Sequence, residues 1–188
     1  MNSEVVSLAV LWPEFTVRAQ SECADVCERC GAPSLRAHHV ALEPGARIPS
    51  RCYAFRATAG KSWWLVLSLR AVSEIESVGV RMSEAGLIEV KPLSRREWGA
   101  VRPVRNVPIL PRCGSCEFSD ELSAGGDAFV RASEWGRVSR ALDAGLPIWL
   151  GGAASVHLAG DAAKFDAVAR KLGFLTVRRI TLRLAESE

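Results

Sequence analysis

The run Trp63–Leu67, with the sequence WWLVL, is fully apolar and is the stretch that decides the fold. Five consecutive apolar residues are typical of a buried strand. Because side chains alternate along a strand, we expect one of the two adjacent tryptophans to face the core and the other to face outwards. The run is far shorter than the roughly 20 residues that cross a bilayer, so the sequence predicts no membrane-spanning segment.

The segments around this run predict a mixture of strands and short helices. Apolar residues spaced by three from Leu69 to Val78 predict a short amphipathic helix that ends at Gly79. Ser133 and Asp161 are the predicted N-caps of two later helices. Strands are predicted over residues 5–12, 15–17, 35–42, 51–58, 87–90, 148–150 and 174–184, the last with a bulge at Arg178 and Arg179. Since these elements do not alternate regularly, the sequence predicts an α+β fold with a mixed or mostly antiparallel sheet and a few short helices.

Length and composition exclude several classes of protein. The chain has 188 residues, of which 48% are hydrophobic and 24% charged, which is the composition of an average globular protein rather than a disordered or fibrous one. This length suits one domain, and we predict a single domain over residues 1–188. The net charge of +3 is too small to indicate nucleic acid or an anionic membrane as a partner. Residues 1–14 carry Glu4 and no basic residue, unlike a signal peptide, so we expect a cytoplasmic protein.

Four of the six cysteines form two C-x-x-C pairs, Cys27–Cys30 with the sequence CERC and Cys113–Cys116 with the sequence CGSC. Two residues between the thiols allow both sulfurs to face one point across a tight turn, as in zinc knuckles. Two knuckles supply the four thiolates of a tetrahedral structural zinc site. The sequence therefore predicts one structural Zn²⁺, bound by Cys27, Cys30, Cys113 and Cys116 in a split site that resembles a zinc ribbon.

The two pairs lie much further apart than in a compact zinc ribbon, where about 20 residues separate them. Residues 31–112 lie between them and are predicted to form a subdomain inserted between the two knuckles. A shared ion would then join an early loop to a late one. Because no such site exists in an unfolded chain, the free energy of metal binding would become free energy of folding.

Other roles for the cysteine pairs stay open at the level of sequence. Each pair could bind no metal, or it could be a redox dithiol, although neither is followed by the helical pattern typical of redox C-x-x-C motifs. Cys23, Cys27 and Cys30 also have the spacing with which radical S-adenosylmethionine enzymes hold an iron–sulfur cluster. Arg29 stands where those enzymes generally have an aromatic residue, however, and the chain is too short to build their barrel.

Four further residues could bind metal or pack in the core. Cys23 lies beside the first pair and is an alternative ligand. His38 and His39 are adjacent on a predicted strand, so their side chains point to opposite faces and only one of them could reach the zinc. Cys52 lies within a predicted strand and is assigned to core packing.

No combination of residues indicates catalysis, so we predict a protein that is not an enzyme. His157 lies near Ser155 and Asp161, but no nucleophile elbow precedes the serine, and residues at this spacing do not form a triad. Residues 151–154, with the sequence GGAA, lack the Lys-Ser/Thr ending of a phosphate-binding loop.

The segment 91–112 is rich in arginine and proline, and it is predicted to be an extended linker that lies over the surface. Its candidate contacts with an acidic partner are Arg95, Arg96, Arg102 and Arg105. The same segment could also be a solvated connector. The alternative function for the chain is a zinc-ribbon protein that binds nucleic acid or acts as a regulator through this basic strip, together with Arg178, Arg179 and Arg183.

The chain resembles the double-CXXCG motif family of bacterial proteins, some of which are immunity proteins against contact-delivered toxins. The resemblance rests on the order of the knuckle Cys27–Gly31, the run Trp63–Leu67, a helix leading to Gly79, the second knuckle and a terminal helix at Phe165–Leu172. The first knuckle matches the family motif in full, whereas Glu117 stands where the second has glycine. The resemblance implies metal-binding cysteines and an inhibitory role through a protein partner, with a toxin as that partner.

Overall fold

The computed structural model describes residues 5–20, 27–29, 39–60, 62–80, 82, 85–93, 97–103, 107–110, 115, 127–152 and 155–185. Within these residues, eleven strands form two sheets, and three helices pack on them. The strands are β1 (Val5–Pro13), β2 (Thr16–Arg18), β3 (His39–Ala41), β4 (Ala54–Ala59), β5 (Ser62–Ser68), β6 (Ala85–Lys91), β7 (Trp98–Pro103), β8 (Asp127–Val130), β9 (Ile148–Gly152), β10 (Ser155–Gly160) and β11 (Leu175–Leu184). The helices are α1 (Leu69–Glu76), α2 (Ala132–Asp143) and α3 (Ala162–Lys171). The α+β class and the mixed sheets agree with the sequence prediction.

The apolar run WWLVL forms β5, near the middle of a six-stranded sheet with the order β2-β4-β5-β7-β6-β3. This strand is antiparallel to both of its neighbours, β4 and β7. Trp63 and Trp64 are both buried, with exposed fractions of 4% and 1%. The expectation that one of them faces outwards was wrong, because both faces of β5 are covered by the rest of the protein.

The two outer strands of this sheet, β2 and β3, meet and close it. Ala19 and Leu42, which directly follow these strands, form an antiparallel bridge. The backbone amide of Gln20 donates to the Ala41 carbonyl at 2.8 Å, and the backbone amide of Glu43 donates to the Arg18 carbonyl at 3.0 Å. The six strands therefore form a ring, in which the backbone groups at the closing point are hydrogen-bonded rather than left open.

The second sheet has five strands in the order β8-β11-β1-β10-β9. Its longest pairing joins β1 and β11, antiparallel from Val5 opposite Arg183 to Pro13 opposite Leu175. The register runs through Arg178 and Arg179 without interruption, so the bulge predicted there was wrong. The extended residues 107–110 join the two outer strands, because Val107 bridges to β9 and Leu110 bridges to β8.

The segment 91–112 is not the surface linker that its prolines and arginines indicated. Residues 98–103 form β7, which lies between β5 and β6. Val107 and Ile109 are buried, with exposed fractions of 1% and 2%. Ala100 and Val101 of β7 are buried as well. Arg102 is exposed on β7.

Two of the three predicted helix starts are confirmed. Helix α1 begins after Ser68, whose hydroxyl accepts from the Ala71 amide at 3.2 Å. Helix α3 begins after Asp161, whose carboxylate accepts from the Lys164 amide at 2.9 Å. The prediction of Ser133 as an N-cap was wrong, because α2 already begins at Ala132 and has no side-chain cap.

Two apolar clusters fill the interior. The larger cluster combines residues of both sheets with the inner faces of α1 and α3, among them Leu11, Phe55, Ile75 and Phe165. The smaller cluster lies between the five-stranded sheet and α2, whose Trp135 packs there. In the described part of the chain, no helix is long and apolar enough to cross a membrane.

Two glycines test how tightly the elements pack. Gly173, just before β11, bridges to Cys52, and a methyl group there would overlap the carbonyl oxygen of Arg51. We expect Gly173→Ala to lower the free energy of unfolding by about 1–3 kcal/mol.

Gly136 is exposed within α2, where the nearest atom to an added methyl lies 3.9 Å away. We expect Gly136→Ala to raise the free energy of unfolding by about 0.5–1 kcal/mol, because alanine favours the helix.

Urea unfolding of the two glycine variants measures both effects. Shifts in the same direction would contradict the packing described around Gly173.

Candidate functional site

The predicted zinc ligands lie mostly outside the described residues. Cys27 is half-buried, whereas Cys30, Cys113 and Cys116 lie outside the described part of the chain, as do the alternative ligands Cys23 and His38. His39 is half-buried at the start of β3. Within the described residues alone, no three metal-binding side chains come together.

The structure does describe the ends of the segments that carry the two cysteine pairs. The first pair lies between Gln20 and His39, and the Gln20 side chain donates to the Leu42 carbonyl at 3.3 Å, beside the strand closure. The second pair follows Leu110, whose amide donates to the Phe129 carbonyl of β8 at 2.9 Å. Each C-x-x-C pair therefore lies in a loop whose two ends are held together by an antiparallel bridge. We call these segments, residues 21–38 and 111–126, the two cysteine loops.

The basic strip is only partly described. Arg102 is exposed on β7, while Arg95, Arg96 and Arg105 lie outside the described residues. Lys91, at the start of the strip, forms an ion pair with Glu89 at 3.6 Å. The described cations of the strip are therefore Lys91 on β6 and Arg102 on β7.

A second candidate site, which the sequence did not indicate, lies where the two sheets meet. We define this cationic–aromatic cluster as Trp12, Arg56, Trp63, His157 and Arg178. Trp12 lies near the end of β1. On the neighbouring strand β11, Arg178 pairs with Val10, two residues before Trp12, so Arg178 lies diagonally across from Trp12. The guanidinium carbon of Arg178 lies 3.7 Å from the centre of the Trp12 ring.

Strand β10, the other neighbour of β1 in this sheet, contributes His157 to the cluster. Val10 pairs with Ala159 of β10, and the same register carried two residues further sets His157 opposite Trp12. The two rings stack with their centres 5.6 Å apart and an angle of 19° between their planes. Cross-strand stacking of this kind contributes to sheet stability.

The six-stranded sheet completes the cluster from its other side. Trp63 of β5 meets His157 edge-on, with ring centres 4.9 Å apart, and it meets Trp12 at 5.7 Å. Arg56 of β4 places its guanidinium carbon 4.8 Å from the centre of the Trp12 ring and 5.9 Å from that of Trp63. The cluster therefore connects five strands of two sheets through rings and cations.

The described ionisable groups of the cluster are all basic. Burial, together with the charges of Arg56 and Arg178, lowers the pKa of His157 to about 3. Burial and the nearby Arg178 also lower the pKa of Arg56. Among the described residues, the ion pairs include no carboxylate bound to either arginine. The cluster thus holds two charged guanidinium groups and one neutral imidazole.

Several polar atoms of the cluster are buried without a partner in the described structure. These atoms are Nε of Arg56, Nε1 of Trp63 and Nδ1 of His157. Because buried polar atoms in folded proteins are nearly always hydrogen-bonded, three such atoms in one place call for an explanation. Chemically, the arrangement offers positive charge and N–H donors, which suit the binding of an anion.

The predicted lack of a triad around His157 stays a prediction, but the placement of the residues is known. His157 packs between two indole rings. The carboxylate of Asp161 caps α3. The two side chains therefore serve separate parts of the fold.

The buried His157 makes stability depend on pH. Between about pH 6.5 and pH 3, the unfolded chain binds a proton at this histidine and the folded chain does not, so the free energy of unfolding falls as the pH falls. We expect a contribution of up to about 1.4 kcal/mol per pH unit in this window. The variant His157→Phe keeps the ring and removes the titration, so its stability should fall less steeply.

Urea unfolding at a series of pH values measures the two slopes. His39→Phe is the matched control, because it removes a histidine outside the cluster and should leave the steeper slope in place. Equal slopes for the parent chain and His157→Phe would show that His157 is not protected from protonation.

Relatedness to known proteins adds no further site residues. Comparison of the chain with protein-family models, with curated proteins and with solved structures finds no significant match. The candidate sites are therefore the cysteine loops and the cationic–aromatic cluster, each argued from its own residues.

Proposed function

We propose that the chain is a zinc-binding protein that is not an enzyme and acts by binding another protein. The single zinc ion would be structural and held by the thiolates of Cys27, Cys30, Cys113 and Cys116. The partner that the resemblance to the double-CXXCG motif family suggests is a bacterial toxin, which the chain would neutralise as an immunity protein. The alternative is a nucleic-acid-binding or regulatory protein that uses the basic strip.

One observation carries the zinc proposal: both C-x-x-C pairs lie in loops whose ends are joined by an antiparallel bridge. The bridge between Ala19 and Leu42 closes the six-stranded sheet, and the bridge between Leu110 and Phe129 lies where residues 107–110 join the five-stranded sheet. A loop with fixed ends has less conformational freedom to lose when its thiolates take up a metal. An ion shared by the two loops would tie the two closing points together.

The remaining described cysteine fits poorly as a zinc ligand. Cys52 is buried, and its thiol donates to the Ala54 carbonyl at 3.2 Å. Burial raises the pKa of this thiol to about 11, so it stays protonated at neutral pH. Zinc binds thiolates, which leaves the two C-x-x-C pairs as the better ligand set.

A role in binding rather than catalysis is supported by the chemistry of the described residues. The buried His157 is neutral and is packed against Trp12 and Trp63. Arg178 is exposed on β11, and arginine is one of the residue types enriched among the residues that contribute most to protein–protein binding. Nucleic-acid binding would instead need a continuous run of exposed cations, and the described part of the strip contributes Lys91 and Arg102.

Metal analysis and cysteine variants test the zinc proposal. We expect one zinc per chain by elemental mass spectrometry of protein purified without added metal. Cys27→Ser and Cys113→Ser should each lose the zinc and lower the melting temperature by a similar amount, because each opens the same site. Cys52→Ala is the matched control and should keep the zinc.

A variant pair that behaves unequally, with one melting like the parent chain, would contradict a shared site. Parent protein with no zinc and four or more reactive thiols would favour the redox alternative.

Partner capture tests the mode of action. We expect the tagged chain to retain a protein at equal stoichiometry from the expressing strain, at both about 50 and about 200 mM salt, because a specific interface does not depend on phosphate contacts. The captured protein, expressed alone, should arrest growth, and co-expression of the parent chain should restore it.

A captured nucleic acid that is lost between these two salt concentrations would support the alternative function. A captured protein that does not affect growth would contradict the toxin assignment.

A further inference from the structure

Two guanidinium groups of the cationic–aromatic cluster border the same indole ring. The guanidinium carbons of Arg56 and Arg178 lie 4.8 Å and 3.7 Å from the centre of the Trp12 ring. The two carbons are therefore no further apart than the sum of these distances. One carboxylate whose carbon lies roughly 4 Å from each of two guanidinium carbons can bridge any separation up to about this limit.

The pair of arginines lacks the negative charge that usually accompanies buried cations. Arg56 is half-buried, and its Nε atom is buried without a hydrogen-bond partner in the described structure. Contact with an indole face offsets only part of the cost of removing a guanidinium group from water. Among the described residues, no carboxylate is paired with either arginine, and an anionic ligand would supply such a charge.

We infer that Arg56 and Arg178 bind the carboxylate of an acidic segment in a protein partner, with Trp12 as the floor of the site. Arg178 is exposed on β11 and forms the open side, while the half-buried Arg56 forms the inner side. The planar guanidinium groups match a carboxylate through paired N–H donors. This inference deepens the proposed function, because it rests on a protein as the partner and names the chemistry by which that partner is recognised.

The placement of the neighbouring cations favours one carboxylate over a phosphate backbone. Arg179 follows Arg178 but points to the opposite face of β11, where it lines a cavity beside Asp161. Arg183 is on the same face as Arg179 and is paired with Asp127. The described positive charge around Trp12 is therefore that of Arg56 and Arg178. A nucleic-acid chain would require a longer row of cations.

His157 and Trp63 hold the floor of the site in place. The imidazole stacks on Trp12, and Trp63 meets the edges of both rings. Because the histidine is neutral, it fixes the indole without adding a third positive charge. We regard both as positioning residues that would not touch the carboxylate.

Nuclear magnetic resonance with a synthetic acidic peptide tests the site. The probe is hexaglutamate, acetylated and amidated at its ends, added to the ¹⁵N-labelled full chain at constant ionic strength. We expect the Nε–H signal of Arg56 and the indole signal of Trp12 to move with the peptide concentration. Arg178→Gln should weaken the peptide affinity at least about tenfold, whereas Arg179→Gln should change it less than about twofold.

Arg178→Lys keeps the charge but loses the paired donors, so it should bind the peptide more weakly than the parent chain and more tightly than Arg178→Gln. Melting curves of all three variants would establish that they are folded. Arg178 is exposed, so its replacement should leave the melting temperature close to that of the parent chain.

Three results would overturn the assignment. Equal weakening by Arg178→Gln and Arg179→Gln would show general attraction of charge rather than a site. Unmoved Arg56 and Trp12 signals would show that the peptide does not bind there. Tighter binding of a single-stranded oligonucleotide at the same signals would assign the site to phosphate. Zinc content and partner capture are measured separately, so a chain that keeps both but ignores hexaglutamate would contradict only this inference.

Discussion

The antiparallel pairing of β1 with β11 is the constraint on which the rest of the structure depends. It joins the two ends of the described chain along the full length of β1. The two faces of β1 also divide the interior, because Ala9 and Leu11 enter the larger apolar cluster while Leu8 and Val10 enter the smaller one. The same register sets Arg178 beside Trp12. One strand pairing therefore fixes the chain ends, the division of the core and the position of a candidate site.

Strand closure explains how loops that carry chemistry can be attached to this framework. The bridges at Ala19–Leu42 and Leu110–Phe129 satisfy backbone groups that an outer strand would otherwise expose. They also hold the ends of the cysteine loops together. A metal bound between the cysteine loops would further restrict segments whose ends the strands already hold. Loss of the metal should therefore lower the stability of both sheets.

The sequence predicted the parts of the fold that depend on local chemistry. The cap at Asp161 and the helix after Leu69 are local, and both were found. Strand β7 was not predicted, because the arginines and prolines around its apolar residues indicated a linker. The burial of both Trp63 and Trp64 depends on elements far along the chain, which a local pattern does not reveal. The cationic–aromatic cluster could not be predicted, since its members come from β1, β4, β5, β10 and β11. Only the strand registers bring them together. The zinc ligands remain a prediction from spacing.

The cluster shows how far an apolar interior tolerates positive charge. Two guanidinium groups are accepted because indole faces attract cations and because Arg178 keeps contact with water. Burial, together with the charges of Arg56 and Arg178, lowers the pKa of His157, so the cluster does not carry a third positive charge at neutral pH. A bound carboxylate would weaken the repulsion between the arginines and satisfy the buried Nε of Arg56. An anion bound in this way would stabilise the folded chain, and the same free energy would contribute to the affinity of the proposed site.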